Sequence, residues 1–272
     1  LTPTELRELL AAHGLRPSKA LGQHFLADPN TARRIVRLAG IGPGDHVVEV
    51  GPGVGSLTSA LAESGAHVLA VELDRHLLPV LEDALHGRDV DVVHADALRL
   101  DWPTLLAGVD QWVMVSNLPY NVATPLVLRA LACAPMITRY LVMVQREVGQ
   151  RLAATVGDEQ YGAVSVKVAY SAEAKVVGIV PPSVFIPRPN VDSALVELRR
   201  RGRPPVEVQD PEWMFELVRA GFATRRKTLR RALAVVLGDR TAGALEAAGI
   251  DAKARAETLT LAQWAALADR SR

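Results

Sequence analysis

Residues 46–64 read HVVEVGPGVGSLTSALAES: a β-branched run, a turn carrying three glycines, and a segment whose apolar residues fall at helical spacing. A strand that enters a helix through Glu49-Val-Gly-Pro-Gly-Val-Gly55 lets the backbone approach a ligand closely, because glycine has no side chain to hold it off. The same alternation continues outward. HVLAVE (67–72), DVVH (91–94), WVMVS (112–116) and RYLVMVQ (139–145) are separated by helical segments such as LLPVLEDAL (77–85). That is the pattern of a parallel sheet wrapped by helices. The runs are apolar almost throughout, as strands covered on both faces must be. The predicted fold class is α/β, doubly wound.

The pattern stops at VPPSVFIPRPNVDS (180–193). A last strand, SALVEL (193–198), precedes the polar stretch RRRGRPPVEVQD (199–210). Beyond Pro211 only helical periodicity remains, in PEWMFELVRAGFA, RKTLRRALAVVL, TAGALEAAG and TLAQWAALADR. Two domains are expected, 1–200 and a small all-α domain 201–272, with PTELRELLAAHG near the amino terminus forming one helix ended by Gly14.

At 272 residues and 49% hydrophobic, the chain is long enough for a large core and a smaller neighbour. Lys plus Arg total 31 against 30 for Asp plus Glu, so any nucleic-acid surface must be local. Cys133 is the single cysteine, which excludes an internal disulfide and fits a reducing cytoplasm; core packing is expected for it. No apolar run reaches the ~18 residues of a spanning helix, and Glu5, Arg7 and Glu8 stand where a signal peptide would be apolar. The first residue is Leu1, so the natural start is expected upstream.

Three polar residues close successive strands: Glu72 ends HVLAVE, Asp96 follows DVVH, and Asn117 follows WVMVS. Open α/β sheets bind ligands at such carboxyl ends. Glu72 lies 21 residues beyond Gly51, the spacing at which an acid accepts ribose hydroxyls, and Asp96 is placed to accept from an adenine amino group. With Gly51 and Gly53 they describe an adenosyl pocket. A dinucleotide fingerprint fits less well, since its third small residue would fall at Ser56 and Pro52 stiffens the turn. Strand-end carboxylates also serve as plain helix caps, a reading that stays open for Asp96.

Asn117-Leu118-Pro119-Tyr120 suits methylation of an amino group conjugated to an aromatic ring. Such a nitrogen is a poor nucleophile, and its two N–H bonds must be held by acceptors. The Asn117 side-chain carbonyl and a backbone carbonyl of Leu118 or Pro119 fill both roles, and Tyr120 offers a face for a base. No general base is obligatory.

LGQHFL (21–26), VEVGPGVGSLT, AVELD, ADAL, NLPYN, QREVGQRL, YGAVSV and VPPSVFIPRPNVDSALV, in this order, resemble the bacterial ribosomal RNA small-subunit adenine dimethyltransferases over nearly the whole chain. The resemblance implies a Rossmann-like S-adenosylmethionine-dependent methyltransferase sheet in residues 1–200, with residues 1–30 as an amino-terminal helix and lid. It implies that His24 and Leu26 contact the cofactor S-adenosylmethionine together with Gly51, Gly53, Glu72, Asp96 and Asn117. It also implies that Phe185 packs on a flipped base opposite Tyr120. A His packed under the lid and a core aromatic are the plain readings of His24 and Phe185. No metal is implied. The implied activity is dimethylation of two adjacent adenosines near the 3′ end of 16S rRNA in the small ribosomal subunit, by a cytoplasmic monomer with a role in small-subunit biogenesis.

Arg225, Arg226, Lys227, Arg230 and Arg231 form the densest basic cluster, read as one side of a helix in the carboxyl-terminal domain and as an RNA phosphate contact. Arg33, Arg34 and Arg37 form a thinner strip. Three rival readings stand beside the small-subunit one: a resistance-type methyltransferase acting on 23S rRNA, a ribosome-assembly or transcription factor that keeps the fold without turnover, and a small-molecule or DNA adenine methyltransferase, which would have no reason to carry RRKTLRRAL.

Overall fold

The computed structural model describes residues 1–17, 22–224 and 226–272. In chain order its elements begin with α1 (Pro3–Ala12), β1 (Phe25–Leu26), α2 (Pro29–Ala39), β2 (His46–Val50), α3 (Ser56–Glu63) and β3 (His67–Glu72). They continue with α4 (Leu78–Leu85), β4 (Val90–His94), α5 (Trp102–Leu105), β5 (Trp112–Asn117), α6 (Ala123–Cys133), β6 (Ile137–Gln145) and α7 (Arg146–Ala153). Then follow α8 (Ala163–Ser171), β7 (Ala172–Val180), β8 (Phe185–Ile186) and β9 (Ser193–Arg200). The chain ends in α9 (Pro211–Phe222), α10 (Leu229–Leu237), α11 (Thr241–Ala247) and α12 (Leu261–Arg270).

One sheet has the order β4-β3-β2-β5-β6-β9-β7. Strands β4, β3, β2, β5 and β6 are mutually parallel, and β9 returns antiparallel to β6. The order reverses between β2 and β5, which opens a crevice at their carboxyl ends. Gly51 and Asn117 therefore end up beside each other by topology alone. Alternate strand residues Val47, Val68, Val113, Val115, Leu141 and Met143 pack under Ile35 and Val36 of α2 and Leu57 and Leu61 of α3. Caps fix where α2 runs: Asp28 accepts the Asn30 and Thr31 N–H groups at its start, and left-handed Gly40 ends it. This is the α/β sheet expected, with differences at its edges. The edge strand β4 is not buried on both faces; its residues are half-buried or exposed because it has a neighbour on one side only.

Three further strands were not legible. β1 and β8 form a separate antiparallel pair, Phe25 opposite Ile186 and Leu26 opposite Phe185. Edge strand β7 carries Glu173, Val176, Val177 and Ile179 in no apolar run longer than four residues, and it forms through its pairing with β9. Cys133 is half-buried at the end of α6, not deep in the core.

The chain divides into two units, Leu1–Gln150 with Ala174–Arg200, and Arg151–Glu173 with Arg201–Arg272. Residues 151–173 group with the helical unit, although they precede residue 200. The cause is burial: Tyr161 and Val166 belong to a core with Met214, Leu217, Leu233 and Trp264, and the Tyr161 hydroxyl donates to the Leu259 carbonyl at 2.9 Å. Among the described residues no helix is long and apolar enough to cross a membrane.

Candidate active site

A cavity at the carboxyl ends of β2, β3 and β5 is lined by His24, Leu26, Gly51, Gly53, Glu72, Asp96 and Asn117, joined by Leu118, Pro119 and Tyr120. Every cofactor residue expected from the sequence faces this one space. Leu21, the first residue of the LGQHFL segment, lies outside the described residues, as does Arg225 of the basic cluster.

The two loop glycines are required by shape. Gly53 has φ +62°, and a Cβ there would stand 2.8 Å from the Phe25 ring. Gly51 has φ +72°, with Pro119 lying 3.4 Å from where its Cβ would be. The loop backbone is thus pressed between the β1 segment and the 117–120 turn. Among the described residues, Ser56 Oγ and Glu49 Oε2 lie buried beside it without hydrogen-bond partners, whereas buried polar groups in folded proteins usually have one. An adenosyl ligand with polar groups fits this floor.

Glu72 is 6% exposed, and both its oxygens are engaged: Oε2 accepts the Gly53 N–H at 3.2 Å and Oε1 the Asp74 N–H at 2.8 Å. Burial pushes its pKa up, and these N–H groups with that of Leu73 oppose the rise. A carboxylate has about four lone-pair directions, so with these three N–H groups at least one remains for a ribose hydroxyl. Asp74 in turn accepts from Gln23 Nε2 at 2.9 Å, tying the 22–26 segment to the far side of the cavity. Asp96 keeps both readings: Oδ1 caps the turn by accepting the Leu98 N–H at 2.9 Å, and Oδ2 lies 3.7 Å from Arg99 at a half-exposed carboxylate.

Asn117 is oriented by the 22–26 segment. Its Nδ2 donates to the His24 carbonyl at 3.0 Å, which fixes the amide, since a carbonyl can only accept. Among the described residues Oδ1 then has no donor. The Pro119 carbonyl accepts the Val122 N–H at 3.1 Å, whereas no described backbone N–H reaches the Leu118 carbonyl. Of the two backbone acceptors left open by the sequence, the geometry favours Leu118. The Tyr120 hydroxyl and Ser193 Oγ are 2.8 Å apart, and burial raises the Tyr120 pKa. The His24 ring lies 5.2 Å from the Tyr120 ring, tilted by 31°, while its Nδ1 donates to the Pro187 carbonyl at 2.7 Å.

Phe185 departs from expectation. It is 2% exposed, packs with Leu26, Val180 and Leu195, and does not line the cavity. Pairing of β8 with β1 turns its ring into the core, so the group that faces Tyr120 is His24, not Phe185.

The basic cluster is also not one helical face. Thr228 is extended and stands at the N-cap position of α10, so only Arg230 and Arg231 lie on the helix, while Arg226 and Lys227 precede it in a turn. All four are exposed. In the thinner strip, Arg34 donates to the Ile179 carbonyl and Arg33 to Asn30.

Glu49 was missed as a separate residue, although an acid inside an apolar strand was a visible signal. It is 1% exposed, and its pKa is pushed up to about 8, by burial first, with the Thr58 hydroxyl lowering it and the charge of Glu72 raising it. The folded chain then holds a proton that the unfolded chain has lost, so this group makes stability fall as pH rises from the ordinary carboxylate range to about 8. Glu49→Gln is expected to remove that dependence. The melting temperature of the variant minus that of the wild type should grow between pH 5 and pH 8; a constant difference would contradict a protonated Glu49.

The chain matches the family model for ribosomal RNA adenine dimethylase over residues 14–271. It is 48% identical to ribosomal RNA small subunit methyltransferase A of Thermobifida fusca, over 99% of this chain and 95% of that one. It is 43% identical to the protein of the same name from Geobacillus thermodenitrificans, over 98% and 95%. Among solved structures, a dimethyladenosine transferase from Plasmodium falciparum superposes with a TM-score of 0.73 at 23% identity, covering 90% of this chain and 96% of that one. The 23S rRNA methyltransferase ErmE gives 0.68 at 28% identity, covering 91% and 99%.

Proposed function

Because the chain belongs to the ribosomal RNA adenine dimethylase family, a family of enzymes, we propose that it dimethylates the 6-amino groups of two adjacent adenosines near the 3′ end of 16S rRNA in the small ribosomal subunit. S-adenosylmethionine, when bound, supplies an electrophilic methyl group. Gly51 and Gly53 admit the cofactor close to the backbone, Glu72 takes its ribose hydroxyls, Asp96 its adenine amino group, and His24 and Leu26 close over it from the lid.

The observation that carries the reading is the orientation of Asn117. Its amide nitrogen is spent on His24, so Oδ1 is presented as an acceptor next to the Leu118 carbonyl. Two acceptors and no competing donor suit an amine whose lone pair must be freed from its ring. Tyr120, held by Ser193, supports the base with its ring. Alignment and exclusion of water then do most of the work, with the proton leaving to solvent. Arg226, Lys227, Arg230 and Arg231 hold RNA phosphates, and modification serves small-subunit biogenesis. Higher identity to relatives named for the small subunit than to the 23S enzyme favours 16S rRNA as the substrate.

Calorimetric titration of S-adenosylmethionine tests the pocket. Glu72→Ala should weaken binding about tenfold to a hundredfold, the scale of 1–3 kcal/mol for a lost hydrogen-bonding charge with donors left unpaired. Unchanged affinity would remove Glu72 from the site.

A further inference from the structure

The helical unit carries a second pair of cations, away from the basic cluster in sequence. Lys167 projects from α8, and its ammonium lies 5.5 Å from the centre of the Phe215 ring on α9. The ring of Tyr170, one turn along α8, meets the same ring in a T-shaped contact, centres 5.3 Å apart and planes at 87°. Arg219, one turn beyond Phe215, is exposed in the last turn of α9. Partial burial lowers the Lys167 pKa, and the neighbouring Arg219 charge lowers it further. Among the described residues neither cation has a carboxylate within ion-pair distance, although the unit pairs other arginines, as in Arg201 with Glu173 and Arg255 with Glu257.

Two like charges gathered without a counter-ion cost stability, and an aromatic ring that seats one of them fixes where it points. An anion that bridges both cations would offset that cost. The chain runs from Arg219 through the turn at Arg226 and Lys227 within eight residues, so the pair continues an already basic stretch.

We propose that Lys167 and Arg219 form a pre-positioned binding site for the RNA phosphate backbone, with Phe215 and Tyr170 as its rigid seat. This rests on the RNA-directed reading above. A rigid seat lowers the entropy lost when a long cation is immobilised on binding.

The test is filter binding of radiolabelled, unmethylated small ribosomal subunits to the full chain between 50 and 300 mM KCl. Each phosphate contact contributes about 0.9 to the slope of log affinity against log salt. The double variant Lys167→Gln/Arg219→Gln should make the slope shallower by about 2, with S-adenosylmethionine affinity unchanged, whereas Lys167→Arg should keep the wild-type slope. A double variant with the wild-type slope and affinity would overturn the site while leaving the RNA reading intact. Failure of the wild type itself to bind subunits in a salt-dependent way would overturn both.

Discussion

Replacing Asn117 with alanine is expected to lower the rate of methyl transfer by about 10²- to 10³-fold, the size of effect seen when one pre-aimed hydrogen-bonding group is removed from a reacting centre. The expectation follows from what Asn117 already does in the folded chain. Its Nδ2 is committed to the His24 carbonyl at 3.0 Å, and among the described residues its Oδ1 is left without a donor. Asn117→Asp is the sharper variant: a carboxylate would face the His24 carbonyl with no proton to give, and the segment that carries His24 would lose this hydrogen bond as well. Both variants should still bind small subunits, because the basic residues assigned to RNA lie in the other unit. Turnover of Asn117→Ala within tenfold of wild type would show that the amine is held by other groups.

The second large effect concerns the frame that holds this turn. Arg200, at the end of β9, donates from Nε to the Ile137 carbonyl at 2.8 Å and from Nη1 to the Leu131 carbonyl at 2.8 Å. Its Nη2 reaches the carbonyls of Ala130 and Ala134 and the Tyr140 hydroxyl at 2.9–3.1 Å. Three of these carbonyls belong to the last turn of α6 and its cap, where a helix lacks donors of its own and carries partial negative charge. The helix they terminate starts directly after the Asn117–Tyr120 turn. Arg200→Ala is expected to cost on the order of 3 kcal/mol, since several carbonyls lose a charged donor together. Lysine should not rescue it, because a single ammonium cannot reproduce the planar fork. Urea unfolding of the full chain measures this, and a loss below about 1 kcal/mol would mean that water replaces the guanidinium without penalty.

Much of the fold was legible because its signals are local. β-branched runs, the Gly51–Gly55 turn and the helical segments are written in consecutive residues, and the carboxyl-end placement of Glu72, Asp96 and Asn117 follows from them. What escaped depends on distant partners. β7 is a strand because β9 lies beside it, and β1 exists only against β8. Residues 151–173 join the helical unit because Tyr161 and Val166 are buried by side chains many residues later, which a linear composition shift at residue 200 cannot reveal.

The site shows the same division. Sequence reading named the acceptors of the 117–120 turn but left the choice between the Leu118 and Pro119 carbonyls open. The Val122 N–H that occupies Pro119 decides it. Phe185 was placed against the base, yet its pairing with Leu26 buries it, and His24 takes the place beside Tyr120. The basic run was read as one helical face, yet the extended Thr228 starts the helix after Lys227.

The central claim is that this chain methylates adenine amino groups of small-subunit RNA. Its most direct test is transfer of radiolabelled methyl from S-adenosylmethionine to purified, unmethylated small and large ribosomal subunits, followed by nucleoside analysis. The account predicts N6-dimethyladenosine in small-subunit RNA alone, with up to four methyl groups per subunit. Label confined to large-subunit RNA, or no label at all with subunits still bound, would contradict it.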